Sequence, residues 1–129
     1  MEKGKQKERG ANNKRFTIVF QRYGREIDRK VSEKTLALLA VLIHRMDFDT
    51  NIVVDDAFQR MSLNDLSDTM SWTKKKTLQI LNELIDLGII HKCKRGVYTY
   101  YIMDYKYAVC GNVDAIIKFL QESLTNGND

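Results

Sequence analysis

The feature that most narrows the fold is the order of elements in Ser62–Tyr101, where two helices and a β-hairpin follow one another with short connections. Ser62 and Asp65 form a capping box that opens the first helix. Thr73 caps the second helix, which stops at Gly88, the residue type that most often ends a helix in the left-handed conformation. The segment therefore predicts a helix, a tight turn, a second helix and a hairpin.

Apolar residues predict which sides of the two helices are buried. The first helix turns Leu63, Leu66 and Met70 inward. Trp72, in the turn, is expected to plug the gap between the helices rather than to stack on a nucleobase. The core stripe of the second helix, with its flanking residues, is predicted to consist of Thr77, Leu78, Ile80, Leu81 and Leu84.

The hairpin is predicted to pair Ile89–Lys94 with Val97–Ile102. Its tight turn is placed at Arg95-Gly96. Alternation along the second strand favours burial of Tyr98. The hairpin tip is therefore expected to be basic, and its aromatic side chains are expected to pack.

Weaker patterns flank this segment. Residues 1–14 are basic and nearly without apolar side chains, which predicts a disordered arm. Phe16–Phe20 and Ile52–Val54 are β-branched runs that predict short strands. Ser32 caps a helix whose stretch Leu36–Ile43 is apolar on every side, which predicts a place at the centre of the core.

Together these elements predict an α+β fold, a winged helix-turn-helix with a three-helix core and a basic β-hairpin wing, plus an N-terminal strand and a C-terminal helix. The domain with this fold is expected to span residues 15–111. Residues 112–124 are predicted to form an amphipathic helix that either completes the core or pairs with its twin in a homodimer. Asn112 opens this helix, and its apolar face consists of Val113, Ile116, Ile117, Leu120 and Leu124.

Composition sets the class of protein. A chain of 129 residues with 43% apolar and 29% charged residues is long enough for one domain with one core. No run approaches the roughly 18 apolar residues of a membrane span, and the charged N-terminus does not resemble a secretory signal. With two cysteines, Cys93 and Cys110, we expect reduced thiols in a cytoplasmic protein without membrane contact.

The net charge of +4 is unevenly distributed along the chain. The balance is +6 over residues 1–34, −4 over 35–73, +4 over 74–95 and −2 over 96–129. Basic charge is thus concentrated in the arm and in the second helix with its hairpin. This distribution suits a polyanion, because each lysine or arginine near a phosphate displaces a condensed counterion.

The basic residues fall where a helix-turn-helix meets double-stranded DNA, since the second helix of that motif lies in the major groove. Lys75 and Gln79 point away from the core stripe with Asn82 beside them; lysine suits guanine acceptors and glutamine pairs with adenine. Lysines in a first helical turn oppose the helix dipole, which indicates function rather than stability. The predicted DNA-binding residues are Thr73, Lys74, Lys75, Lys76, Gln79 and Asn82 on the helix and Lys92, Lys94 and Arg95 on the hairpin.

Catalytic and metal-binding patterns find little support. His44 and His91 do not form the His-x-His cluster of a nicking enzyme, and with the two cysteines they do not match a zinc spacing. No glycine-rich phosphate loop is present. We expect no enzyme activity, no metal and no cofactor. The weak candidates for a magnesium site, which lie in turn-like sequence, are Asp47, Asp49, Asp55 and Asp56.

The order of motifs over residues 16–111 resembles the RepL-type plasmid replication initiator family. The most specific part is Arg95-Gly96-Val97-Tyr98 followed by a tyrosine-rich segment and Gly111; Ser71 stands where the family usually has a turn glycine. The resemblance implies recognition of a plasmid origin and recruitment of host replication proteins. The other matching residues are His44-Arg45-Met46-Asp47-Phe48, Asn51-Ile52-Val53, Leu66, Met70 to Thr77, Leu84, Gly88-Ile89-Ile90 and Lys94.

Two other functions use the same fold. A winged-helix transcriptional regulator would present the same DNA-binding surface. A protein-interaction module, which ranks lower, would dock its winged helix onto another protein. The salt dependence of duplex binding separates the last from the first two.

Overall fold

The structure is a computed structural model that describes residues 17–20 and 31–126. The arm predicted at residues 1–14 and the start of the first predicted strand at Phe16 lie outside this part. Within it the chain is α+β, with four helices and two small antiparallel sheets, β1–β4 and β2–β3. The elements are β1 (Ile18–Val19), α1 (Glu33–Ile43), α2 (Leu63–Met70), α3 (Lys74–Asp86), β2 (Ile90–Arg95), β3 (Tyr98–Met103), β4 (Ala108–Val109) and α4 (Val113–Asn126).

Helix α1 begins where its cap predicts but is buried on one side only. The Ser32 hydroxyl accepts a hydrogen bond from the Thr35 amide. Leu38, Leu39 and Leu42 are fully buried in the main core, whereas the two alanines at positions 37 and 40 are exposed. The expectation of burial on every side is therefore wrong, because alanine adds so little apolar area that a solvent-facing side loses little by containing it.

Helices α2 and α3 form the predicted pair joined by a tight turn. The capping box at Ser62 and Asp65 is present in both directions. Ser71 ends α2 with φ 58° and ψ 37°, a left-handed conformation that suits the glycine expected at this turn. Trp72 is half-buried against the core, as predicted, with Nζ of Lys34 6.0 Å from its ring centroid.

The β2–β3 hairpin is shifted by one residue from its predicted position. Arg95 pairs with Tyr98, so the turn residues are Gly96 and Val97 rather than Arg95 and Gly96. Gly96 has φ +62°, and a glycine first in a two-residue turn is typical of the type II′ hairpin. The segment after α1 extends the pairing, since the Val53 amide donates to the Tyr101 carbonyl at 2.8 Å. Residues 52–54 thus make isolated bridges instead of the predicted strand.

The hairpin is buried on both faces. One face carries Ile90, Tyr101 and Met103 into the main core with α1–α3. The other carries Cys93, Tyr100 and Ile102 against Leu120 of α4. Because helices cover both sides, the base of the hairpin is fixed and only its tip is free of the core.

Helix α4 completes this second cluster. Asn112 accepts a hydrogen bond from the Ala115 amide at 2.9 Å, as predicted for a cap. Ile116 and Leu120 are buried, while Val113 and Leu124, predicted on the same face, are 40% and 38% exposed. The hairpin therefore covers the centre of the helix, and pairing with a twin stays a prediction.

A buried asparagine joins the turn after α1 to the end of the hairpin. Asn51 is 0% exposed, and its Nδ2 donates to the carbonyls of Met103 and Ala108 at 3.0 and 2.9 Å. Its Oδ1 accepts from the Cys110 amide at 3.0 Å. Gly111 follows with φ +108°, and a Cβ there would lie 2.8 Å from the backbone nitrogen of Asp49. This close contact between the turn after α1 and the segment after β3 therefore requires asparagine at position 51 and glycine at position 111.

Candidate nucleic-acid interface

The outward face of α3 contains the side chains predicted to contact DNA. Lys74, Lys75, Gln79 and Asn82 are exposed. Thr77, Ile80, Leu81 and Leu84 form the buried face. Leu78, predicted to flank the core, is 38% exposed and lies on the outward side. The buried face is thus narrower than the sequence pattern indicated, and the remaining predicted residues of α3 are exposed Thr73 and half-buried Lys76.

The N-terminus of α3 has an uncompensated concentration of positive charge. Its first turn contains Lys74, Lys75 and Lys76 and no acidic residue. Among the described residues, no carboxylate lies within ion-pair distance of these three lysines. Each cation at this end costs about 0.3–1 kcal/mol through the helix dipole. The side-chain oxygen of Thr73 accepts from the Lys76 amide at 3.1 Å, so this hydroxyl acts first as the cap.

The acidic residues of α3 lie away from its lysines. Glu83 accepts a hydrogen bond from the hydroxyl of buried Thr35 at 2.9 Å, which ties its carboxylate to α1. Asp86 is exposed at the C-terminal end of the helix. The outward face therefore changes from positive to negative along its length, and an anion would meet it at the N-terminal half.

The three basic residues of the hairpin lie on different faces. Lys92 and Lys94 pair with Tyr101 and Thr99 on the face directed toward α3. Arg95 pairs with Tyr98 on the opposite face, which packs toward α4. All three side chains are exposed. The sequence pattern alone groups all three residues at the hairpin. Which face each side chain occupies depends on the strand register, and the register depends on where the turn falls.

A cleft of about 440 Å³ separates α3 from the hairpin. Leu78 lies on its helical side and Lys92 on its hairpin side, and Asn64 from the first turn of α2 also lines it. We call this the helix–hairpin cleft. It places Leu78, on the outward side of α3, next to Lys92 of the hairpin.

Arg60 is a basic residue of this cleft that sequence reasoning missed. It follows a loop in which the carboxylate of Asp55 accepts from the amides of Ala57 and Gln59, both at 2.9 Å. This closure pairs Arg60 with Val54 and directs it toward the hairpin. No periodic pattern marks residues 55–60, so only the folded chain shows where the guanidinium lies.

Arg60 stacks on Tyr98 at the hairpin tip. Its Cζ lies 4.1 Å from the ring centroid, which is within the range of a cation–π contact. Tyr98 is 56% exposed, so the prediction that it is buried is wrong. The tyrosine lies beyond the part of the hairpin that the helices cover, and the arginine is its partner in place of the core.

His91 and the two cysteines lie in contacts within the fold. His91 Nε2 lies 2.7 Å from Oδ2 of buried Asp104, whose other oxygen accepts from the Lys106 amide. Cys93 and Cys110 are buried and form no disulfide, and burial raises the pKa of the Cys93 thiol. Within residues 17–20 and 31–126 no group of His, Cys, Asp and Glu side chains is arranged to hold a metal ion. This includes the weak magnesium candidates of the sequence, Asp47, Asp49, Asp55 and Asp56.

Comparisons of the chain with protein-family models, with curated proteins and with solved structures find no significant match. In the part of the chain that the structure describes, no helix has the length and apolar character to cross a membrane. The resemblance to RepL-type initiators stays a prediction. Function is therefore inferred from the side chains of the site.

Proposed function

We propose that this chain binds double-stranded DNA as a winged helix, with α3 in the major groove and the hairpin against the neighbouring backbone. One observation carries the proposal. Leu78 of α3 and Lys92 of the hairpin line the same cleft, and Lys74 and Lys75 precede Leu78 by one helical turn on the same face of α3. A single polyanion can contact them together.

The order and pairing of elements support a winged-helix arrangement. Three helices, α1, α2 and α3, pack around the main core, and the hairpin follows directly after α3. The segment between α1 and α2 pairs with β3 through the Val53 and Met103 amides, at 2.8 and 2.9 Å. A hairpin held in this way serves as the wing beside the helix.

The side chains divide by the chemistry that they offer to DNA. Lys75, Gln79 and Asn82 are on the part of α3 that faces out, where lysine matches guanine acceptors and amides match adenine. Lys74, Lys76 and Thr73 lie at the helix start, where phosphate binds most favourably to amides and cations. Lys92 and Lys94 add backbone contacts, which position the protein without selecting sequence.

The process that this binding serves is proposed from the resemblance to RepL-type initiators. We propose recognition of a plasmid origin followed by recruitment of host replication proteins. The alternative is a transcriptional regulator that uses the same surface, and a protein-interaction module ranks below both. Sequences selected from a random duplex library would distinguish an origin-like site from an operator.

The test of DNA binding is the salt dependence of affinity. About six to eight phosphate contacts give a log–log slope of about −5 to −7 for a labelled duplex titrated by fluorescence anisotropy. Millimolar affinity at low salt for every duplex tested would contradict DNA binding and favour the protein-interaction module.

Replacing Lys94 by alanine is expected to weaken binding to all duplex sequences alike. Loss of one phosphate contact lowers the magnitude of the salt slope by about one unit. Lys118→Ala, which removes the same charge from the exposed side of α4, is the matched control and is expected to leave the slope unchanged. Equal effects of both variants would mean that net charge, rather than the hairpin contact, sets the affinity.

Replacing Gln79 by alanine is expected to relax sequence preference. If the amide pairs with adenine, discrimination at that base pair falls by about 1–3 kcal/mol, while affinity for unrelated duplexes stays the same. The readout is a competition series with one substituted base pair at a time. Gln121→Ala, an exposed glutamine on α4, is the control. Unaltered preference in Gln79→Ala would place the base-contacting face elsewhere on α3.

A further inference from the structure

A second cleft lies on the other side of the hairpin tip. It is lined by residues from three parts of the chain and has a volume of about 190 Å³. Its walls combine two guanidinium groups with three aromatic rings. We call it the aromatic cleft; its residues are Ile52, Arg60, Arg95, Tyr98, Tyr100 and Phe119.

We infer that the aromatic cleft binds an unpaired nucleobase together with its phosphate. Aromatic faces accept any base by stacking, and arginine pairs with phosphate while also stacking on rings. Among the residues that the structure describes, no carboxylate lines the cleft, and neither Arg60 nor Arg95 forms an ion pair. Both arginines are thus available to an anion.

The size of the cleft selects the part of the ligand that enters. A volume of about 190 Å³ is below the about 300–1,000 Å³ of pockets that enclose a drug-sized molecule. Tyr100 is 8% exposed and forms part of the buried wall, whereas Tyr98 is 56% exposed at the rim. A single nucleobase fits inside, and the phosphate of the same nucleotide stays at the rim near exposed Arg95.

Continuity with the helix–hairpin cleft favours nucleic acid over an acidic peptide. Arg60 and Tyr98 line both clefts, so their stacked pair is the wall between them. A strand that leaves the duplex at Lys92 reaches the aromatic cleft by passing around the hairpin tip. The inference rests on the proposed function in this respect, since the duplex brings the unpaired nucleotide to the cleft.

The experiment compares three labelled ligands with the full chain. They are a blunt duplex, the same duplex with a short unpaired extension, and the same extension with abasic sites in place of the bases. The intact extension is expected to raise affinity about five- to 150-fold for one stacked base, and the abasic extension to give little of this gain. Equal gains from the two extensions would overturn the inference, because phosphate charge alone would then explain them.

Variants connect the gain to the cleft. Tyr98→Leu is expected to lose the gain and Tyr98→Phe to retain it, because only the ring stacks. Phe58→Leu is the matched control, since Phe58 is also 56% exposed and lies outside both clefts. A gain that survives Tyr98→Leu in a protein with unchanged circular dichroism would overturn the inference.

Two further ligands identify the source of the nucleotide and separate the two proposals. Binding of free dAMP with the same dependence on Tyr98 would support the cleft as a site for a free nucleotide. Displacement of a bound fluorescent peptide rich in Glu and Tyr, without nucleotide binding, would overturn the inference in favour of a protein partner. Binding of a single strand when the blunt duplex does not bind would contradict duplex recognition and leave the aromatic cleft supported.

Discussion

Replacing Asn51 by alanine is expected to lower the free energy of unfolding by about 3–5 kcal/mol, the largest effect of any single change considered. The substitution leaves the carbonyls of Met103 and Ala108 and the amide of Cys110 without their buried partner. It also places alanine at φ +61°, a left-handed conformation that asparagine adopts more readily than alanine does. Urea-induced unfolding followed by circular dichroism measures the loss.

Asn51→Gly separates the two contributions to this loss. Glycine has no strain at positive φ, so only the three side-chain hydrogen bonds are removed. We expect Asn51→Gly to retain most of the destabilisation, since unsatisfied buried groups cost more than the backbone strain. If Asn51→Gly were as stable as the original chain, water would have to satisfy the three backbone groups. The asparagine side chain would then not stabilise the contact between the turn after α1 and the segment after β3.

Replacing Lys74, Lys75 and Lys76 together by alanine is expected to change binding and stability in opposite directions. Duplex affinity falls by about 2–4 kcal/mol, about 30- to 1,000-fold, because contacts at the helix start are lost. The free energy of unfolding rises by about 1–3 kcal/mol, because the cations no longer oppose the helix dipole. Anisotropy titrations and urea unfolding of the same preparation test both parts.

A double variant controls for net charge. Lys106 and Lys118 are exposed on other parts of the surface, and replacing both by alanine removes two positive charges. This variant is expected to weaken duplex binding far less than the triple variant, since distant surface charges are screened over about 10 Å at moderate salt. Losses that simply follow the number of charges removed, or a loss of stability in the triple variant, would contradict the role assigned to the start of α3.

Local chemistry was predictable from the sequence and long-range packing was not. The caps at Ser32, Thr73 and Asn112 are confirmed because each bond joins a side chain to a backbone group a few residues away. The prediction that Tyr98 is buried is wrong because residues 100–103 of β3 are buried on both faces of the hairpin. The alternation of side chains along this strand therefore does not indicate which residue is buried at the tip. Leu78 was misplaced for a related reason, since the hairpin opens a cleft beside it instead of covering it.

The candidate site shows the same division. The lysines of α3 lie where helical periodicity predicts, because the buried stripe of that helix fixes its rotation. The separation of Arg95 from Lys92 and Lys94 depends on a one-residue shift of the turn. Arg60 belongs to both clefts only because the loop after Val54 returns to pair with it. No local pattern encodes that return.

Under the proposed function, the burial of the hairpin on both faces has a consequence for the choice of DNA target. With α1–α3 on one face and α4 on the other, the base of the hairpin is held in place beside α3. A duplex bound in the proposed way must then supply a major groove and flanking backbone at the separation that the base of the hairpin sets. Base steps that bend or narrow easily would meet this requirement at a lower deformation energy. Selection would therefore extend to positions that no side chain touches.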